Sequence, residues 1–242
     1  MQGNRKRPSS GGRITRISGQ KIKWLRTWSK PPAVVGIVDS KAALKASRRG
    51  ASDFCDFFEW RADRMGSALP ESPLPWILTV RHSAEGGGHL STGERKKLFL
   101  ELLPFVSHID LEVRSLGSMQ EVVGRARELE IPIIASFHDF KKTPRSDVIL
   151  KKIRTAKDLG ASIAKVACQS ERPADLVRLL FVLEKSSLPL SIMGMGKLGM
   201  ASRVLFAGCG SVLNYGWLHG PNVEGQWCAR QLSTIVNKMV LH

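Results

Sequence analysis

From Pro32 onward the chain alternates short apolar runs with longer amphipathic stretches. The runs are AVVGIV (33–38), DFFEWRA (56–62), PWILTVR (75–81), HIDLEV (108–113), PIIASFHD (132–139), SIAKVAC (162–168), PLSIMGM (189–195) and SVLNYG (211–216). Each has the length and the apolar content of a buried strand. Between them, Met119, Val122, Ala126 and Leu129 mark one face of a helix, as do Ile149, Ile153 and Ala156. STGE at 91–94 has capping-box spacing, with Ser91 placed to cap a helix that begins beside it. DRMGSALPESPL, after the second run, is broken by Pro and Gly and leaves room only for a short helix. Alternating strand and helix predicts a parallel sheet with helical crossovers. Eight such units predict an α/β fold, a closed (β/α)8 TIM barrel in a single domain over 32–242. A doubly wound open sheet is the alternative.

Polar residues sit at the C-terminal ends of these strands. The second ends in Glu59 and Arg61, the third in Arg81, the fourth in Glu112 and Arg114, and the fifth in His138. The sixth carries Lys165 within ASIAKVACQ (161–169). In a parallel barrel those ends meet at one rim, where active sites form. Lys165 reads either as a salt-bridged or snorkelling structural lysine, as a phosphate ligand, or as a nucleophile. The nucleophile needs an amine made neutral by desolvation and neighbouring cations. His138, on the same face as Ser136, is a structural histidine or a proton shuttle beside that lysine. Arg61, Arg81 and Arg203 together suit a carboxylate or phosphate, though each alone reads as an ion pair. Glu59 and Glu85 would orient the histidine, bind hydroxyls, or neutralise these arginines. MGMGKLGMASR (193–203) is glycine-rich but has neither Walker nor dinucleotide spacing, and no side-chain spacing is specific for a metal.

Composition narrows the class. The chain has 242 residues, 43% hydrophobic and 24% charged, without an apolar run of the ~18 residues a bilayer crossing needs. Cys55, Cys168, Cys209 and Cys228 lie far apart, as expected of reduced thiols in a cytoplasmic protein. The net charge is +16, and residues 1–30 hold nine Lys or Arg and no acid. Residues 1–31 therefore read as a basic, flexible tail: an uninformative extension, an anionic-surface contact or a targeting segment. With the excess gathered there and one tyrosine in the chain, Tyr215, nucleic acid is not an expected partner.

The ordered motifs FFEWRADR (57–64), LTVRHSAEGG (78–87), IDLEV (109–113), ASFHDF (135–140), AKVA (164–167), MGMGKLGMASR (193–203) and EGQ (224–226) resemble the type I 3-dehydroquinate dehydratase family. The resemblance covers roughly residues 33 to 230. It implies a (β/α)8 barrel and loss of water from 3-dehydroquinate through a Schiff base on Lys165. It implies His138 as the general base and acid, and Glu85 as the carboxylate that orients it. Glu59, Arg61, Arg81, Arg203 and Gln226 match substrate-contacting positions, with Arg203 on the substrate carboxylate. Asn222 stands where many relatives have serine in the closing loop, and Gly36 where they often have a polar serine, removing a substrate contact. No metal or cofactor is implied, and a homodimer acting on a small-molecule substrate is expected.

Other readings predict other features. A class I aldolase would carry a phosphate-binding turn near strands seven and eight, where this chain has Arg203 and Gln226. A catalytically impaired relative serving as a partner protein would not need Lys165 and His138 intact.

Overall fold

The computed structural model describes residues 32–240. The basic tail expected over 1–31 lies outside the described residues. Eight strands alternate with eight helices: β1 Ala33–Val38, α1 Lys41–Ser47, β2 Phe57–Arg61, α2 Ala62–Met65, β3 Trp76–Thr79, α3 Thr92–Leu102, β4 His108–Glu112 and α4 Gln120–Glu128. The chain continues through β5 Ile133–Asp139, α5 Ser146–Asp158, β6 Ile163–Gln169, α6 Pro173–Lys185, β7 Leu190–Met195, α7 Gly199–Gly208, β8 Leu213–Trp217 and α8 Ala229–Val240. All eight predicted strands form, and the broken second connection holds only the four-residue α2. Ser91 and Glu94 make the capping box at the start of α3, each accepting the other's backbone N–H.

Every strand pair is parallel, and the hydrogen-bonded order runs β7-β6-β5-β4-β3-β2-β1-β8. The seam between β7 and β8 is stitched differently. Val212 N–H donates to Leu190 O at 3.0 Å, and Ser191 Oγ donates to Leu213 O at 2.6 Å. Ser211 Oγ accepts from Ile192 N–H at 3.0 Å. Serine hydroxyls thus replace part of the missing ladder, and the barrel is nearly closed.

Strand alternation sorts side chains between two cores. Val34 and Val38 pack outward against the helix layer, while Val35 and Ile37 point into the barrel with Phe57, Ile77, Ile134, Ile163 and Leu213. On β6, Ala164, Val166 and Cys168 face outward, so Lys165 shares the inner face with Ile163 and Ala167. The apolar run is apolar because both faces of the strand are covered.

This phase corrects one expectation. A Cβ on Gly36 would lie 3.0 Å from Cys55 Sγ and 3.1 Å from a Leu218 methyl, on the outer side of the sheet. Glycine there lets β1 sit close to that layer, and its missing side chain removes no substrate contact. The four cysteines are free thiols.

Candidate active site

The inner faces of β2 to β6 place an ionic cluster at the barrel's carboxyl end. Lys165 is 4% exposed, and its Nζ donates to Asp110 Oδ2 at 2.8 Å and Glu59 Oε1 at 3.4 Å. Nζ also stands 3.7 Å above the centroid of the Tyr215 ring. The charges in contact with the amine are therefore carboxylates, not the neighbouring cations the sequence suggested. It is salt-bridged, as a structural lysine would be, yet it lines a cavity.

Arg81, two residues past the end of β3, links the same acids. Its Nη1 donates to Asp110 at 2.9 Å, to Glu112 at 3.2 Å and to Ser136 Oγ, and Nη2 lies 3.9 Å from Glu59. Arg95, reaching in from α3, pairs with the other oxygen of Glu112. Three buried cations thus balance three buried carboxylates, as charges removed from water require. For Asp110, burial pushes the carboxyl up, but Arg81 and Lys165 prevail and hold it far below the usual range. Arg114 does not join the cluster, because it falls in a single turn after β4 and is exposed.

His138 lies toward the end of β5, and the register pairs Ser136 with Lys165, so the imidazole projects one inward step further along the barrel. Glu85 Oε2 accepts the His138 backbone N–H at 3.0 Å and lies 2.9 Å from Nδ1. When Glu85 is ionised its Oε2 accepts from both the amide and the ring, which places the proton on Nδ1 and leaves Nε2 the free lone pair. Burial, then the Arg81 and Lys165 charges, push the imidazole well below its usual range, leaving a neutral base at pH 7. Burial pushes Glu85 up to about 7. Glu85 is delivered by a tight loop: a Cβ on Gly87 would sit 1.9 Å from Arg81 O, so only glycine lets the chain fold back there.

The three arginines expected as a clamp are not equivalent. Arg61 is held bidentately by Asp63 at 2.9 and 2.8 Å and also donates to Gly86 O, and Arg81 is paired through Nη1 with Asp110 and Glu112. Arg203, on α7, is 2% exposed and among the described residues bonds to Tyr215 O, Gly225 O and Met193 Sδ. Among the described residues it has no acidic partner, and burial lowers its pKa to about 10. A buried cation without a counter-charge is a ready receptor for an anion.

The loop after β8 forms the cavity's lid side. Gln226 is buried and its Oε1 accepts the Asn222 N–H at 2.9 Å. Gly225 packs on the turn after β7: its Cβ would meet Gly196 O at 2.3 Å, and a Cβ on Gly199 would meet Gly225 O at 2.7 Å. The glycines of MGMGKLGM therefore serve a close backbone approach between two loops, and Gly196 N–H donates to Glu224 O at 3.0 Å across it.

Glu59, Arg61, Arg81, Glu85, His138, Lys165, Arg203, Asn222 and Gln226 all line one cavity of about 200 Å³, so every site residue expected from sequence meets there. Asp110, Tyr215, Met193 and Met195 were not singled out for the site; the last three line the cavity and Asp110 lies beneath it. A larger cleft of about 480 Å³ between α1 and α8 holds none of these groups. Among the described residues no helix is long and apolar enough to cross a membrane, and no cluster of three His, Cys, Asp or Glu could hold a metal ion.

A buried amine and a half-buried imidazole at the carboxyl ends of parallel barrel strands mark a TIM-barrel enzyme. The family model for type I 3-dehydroquinase matches residues 34–240, and the chain belongs to that family. It is 34% identical over 212 residues to the 3-dehydroquinate dehydratase of Methanocella arvoryzae, covering 84% of this chain and 94% of that one. The Methanothrix thermoacetophila enzyme is 30% identical, over 85% of this chain and 91% of its own length. Among solved structures, the type I 3-dehydroquinate dehydratase of Clostridium difficile, with covalent modified comenic acid, superposes with a TM-score of 0.78 at 26% identity. That match covers 87% of this chain and 93% of the other. The Geobacillus kaustophilus structure, at 24% identity and a TM-score of 0.77 over 87% and 92% of the two chains, shares the fold.

Proposed function

We propose that this chain is a 3-dehydroquinate dehydratase, a hydro-lyase that forms 3-dehydroshikimate through an imine on Lys165. The observation that carries the reading is the buried Lys165 amine in one cavity with a neutral His138 base and the uncompensated Arg203. Arg203 would receive the substrate carboxylate, anchoring the ring so that its C3 ketone meets Nζ. Carbonyl and ammonium combine with release of one water: two N–H protons leave with the oxygen, and the third remains on the protonated imine. That imine withdraws electrons from C2, whose proton would otherwise be too weakly acidic to remove at useful speed. His138 Nε2 takes this proton, giving an enamine, and Glu85 stabilises the imidazolium that forms. As the enamine nitrogen pushes its electron pair back through C3 and C2, re-forming the protonated imine and a C1–C2 double bond, the C1 hydroxyl departs as water with the proton from His138. A second water hydrolyses the imine and frees product and lysine.

Arg61, and Gln226 and Asn222 of the loop after β8, line the wall that would hold the ring hydroxyls. Glu59 bonds Lys165 and Thr79, so it would act on the amine as well as on substrate. The covalent modified comenic acid of the Clostridium difficile relative fits a family with a nucleophile in this pocket.

The test is incubation with 3-dehydroquinate while following enone absorbance, then borohydride trapping and mapping of the modified lysine. Rising absorbance and an adduct on Lys165 are expected. Lys165→Ala should abolish both; no absorbance change and no adduct in the wild-type chain would overturn the assignment.

A further inference from the structure

The one tyrosine of the chain stands in the middle of the barrel with its hydroxyl unused. Tyr215 follows Leu213 on the inner face of β8, is 2% exposed, and lines the cavity under Lys165. Among the described residues, its hydroxyl oxygen is the one buried side-chain N or O atom without a hydrogen-bond partner. A buried, unpartnered hydroxyl is a net cost to the fold, and phenylalanine in the same place would fill the space without it.

The ring and the hydroxyl have different surroundings. The ring face supports the Lys165 ammonium at 3.7 Å, an attraction strengthened in a dry site. Burial and the charges of Glu59 and Asp110 keep the phenol protonated far above its usual range, so at working pH it is a hydrogen-bond donor. In the free enzyme Lys165 already donates to Asp110 and Glu59, and the phenol has nothing to do.

Imine formation changes this accounting. An ammonium has three N–H donors, and two of them serve Asp110 and Glu59. When the nitrogen bonds to the substrate carbon, two of its protons leave in the released water and one N–H remains. One of the two carboxylates then loses its lysine donor and keeps its other partner, Arg81 for Asp110 or Thr79 for Glu59, in a buried cluster where a weakened charge is costly.

We propose that Tyr215 is a positioning residue: its hydroxyl supplies a donor to whichever of Glu59 and Asp110 loses the lysine N–H when Lys165 becomes an imine, while its ring supports the charged nitrogen. The proposal rests on the reading of Lys165 as the imine-forming residue. It explains why a hydroxyl that burdens the free enzyme stands beside that amine.

Tyr215→Phe removes one oxygen and keeps the ring. Measured without substrate, the variant should melt at a higher temperature than the wild type. With 3-dehydroquinate, the fraction of chain trapped by borohydride at equilibrium and kcat should both fall, on the order of ten-fold. A role confined to the fold would move the melting temperature and leave the trapped fraction alone. An unchanged trapped fraction and kcat would overturn the proposal, as would a lower melting temperature, which would show that the hydroxyl already has a partner. Absence of any adduct in the wild type would instead sink the imine reading itself.

Discussion

Glu85 Oε2 grips His138 at two points, the ring Nδ1 at 2.9 Å and the backbone amide at 3.0 Å. The carboxylate is best able to stabilise an imidazolium when ionised, and burial moves its pKa from the usual 4.5 to about 7. Turnover should therefore rise with pH through about 7 and level above it. Glu85→Gln keeps an acceptor for the amide but does not titrate, so its rate should be lower and flat across that range. The same shift affects stability with the opposite sense. A carboxyl whose folded pKa lies above its unfolded one binds a proton on folding, so its contribution is full below about 4.5 and is lost as pH rises through about 7. Melting temperatures of wild type and Glu85→Gln, compared from pH 4 to 9, should show the wild type losing ground over that interval.

Arg203 carries a charge that no acidic side chain among the described residues answers. Truncating a buried charge that pairs with a ligand costs about 2–5 kcal/mol of binding. Arg203→Ala should raise KM on the order of a hundred-fold or more. Its stability without substrate should hold or increase, since the fold loses a desolvated charge. A loss of stability with unchanged KM would mean that the guanidinium only braces the β8 backbone.

His138→Ala separates the two halves of the reaction. In the proposed mechanism the imine needs the amine, whereas proton removal at C2 needs Nε2. The variant should lose several orders of magnitude in turnover while borohydride still traps an adduct on Lys165, because general acid–base catalysis contributes about 10²–10⁴-fold per role. Near-wild-type turnover would remove the imidazole from the mechanism.

The barrel was legible because each strand is buried on both faces and therefore stands out as a short, unbroken apolar run. Lys165 and His138 were legible for the converse reason: each interrupts such a run with chemistry it would otherwise avoid. Asp110 was not, since an acid two positions before Glu112 reads as ordinary alternation. Its partners, Arg81 from the third unit and Lys165 from the sixth, come near only when the barrel closes. The orientation of Gly36 was hidden by the same double burial, because a run apolar on both faces does not say which face is inner. Arg203 looked like one of three equivalent arginines until Arg61 and Arg81 were seen to have acids of their own.

Asp110 gives a direct test of the ionic cluster. It is fully buried and contacts both Arg81 and Lys165. Asp110→Ala leaves two buried cations sharing too little negative charge and should destabilise the fold by about 3–5 kcal/mol, read from denaturant unfolding. Asp110→Asn keeps the shape and one acceptor oxygen, so it should fold with a smaller loss. Its amide no longer anchors an ammonium, and imine formation should slow markedly, read as the rate of adduct trapping. Normal trapping in Asp110→Asn would show that Glu59 alone positions the amine.

Gly225 tests whether loop docking sets affinity. Its φ is +77°, and an added Cβ would fall 2.3 Å from Gly196 O, so Gly225→Ala cannot keep the observed contact. The barrel beneath does not depend on that contact, so global stability should fall by only about 1–2 kcal/mol. The loop carries Asn222 and Gln226 to the cavity wall, and a lifted loop would withdraw both from the substrate. KM should rise more than kcat falls, because the Lys165, His138 and Glu85 geometry is built on other elements. Steady-state kinetics of Gly225→Ala alongside Gln226→Ala provides the check. If the loop acts through Gln226, combining the two changes should cost little more than either alone; fully additive losses in kcat/KM would show that the loop's position and the glutamine contribute separately.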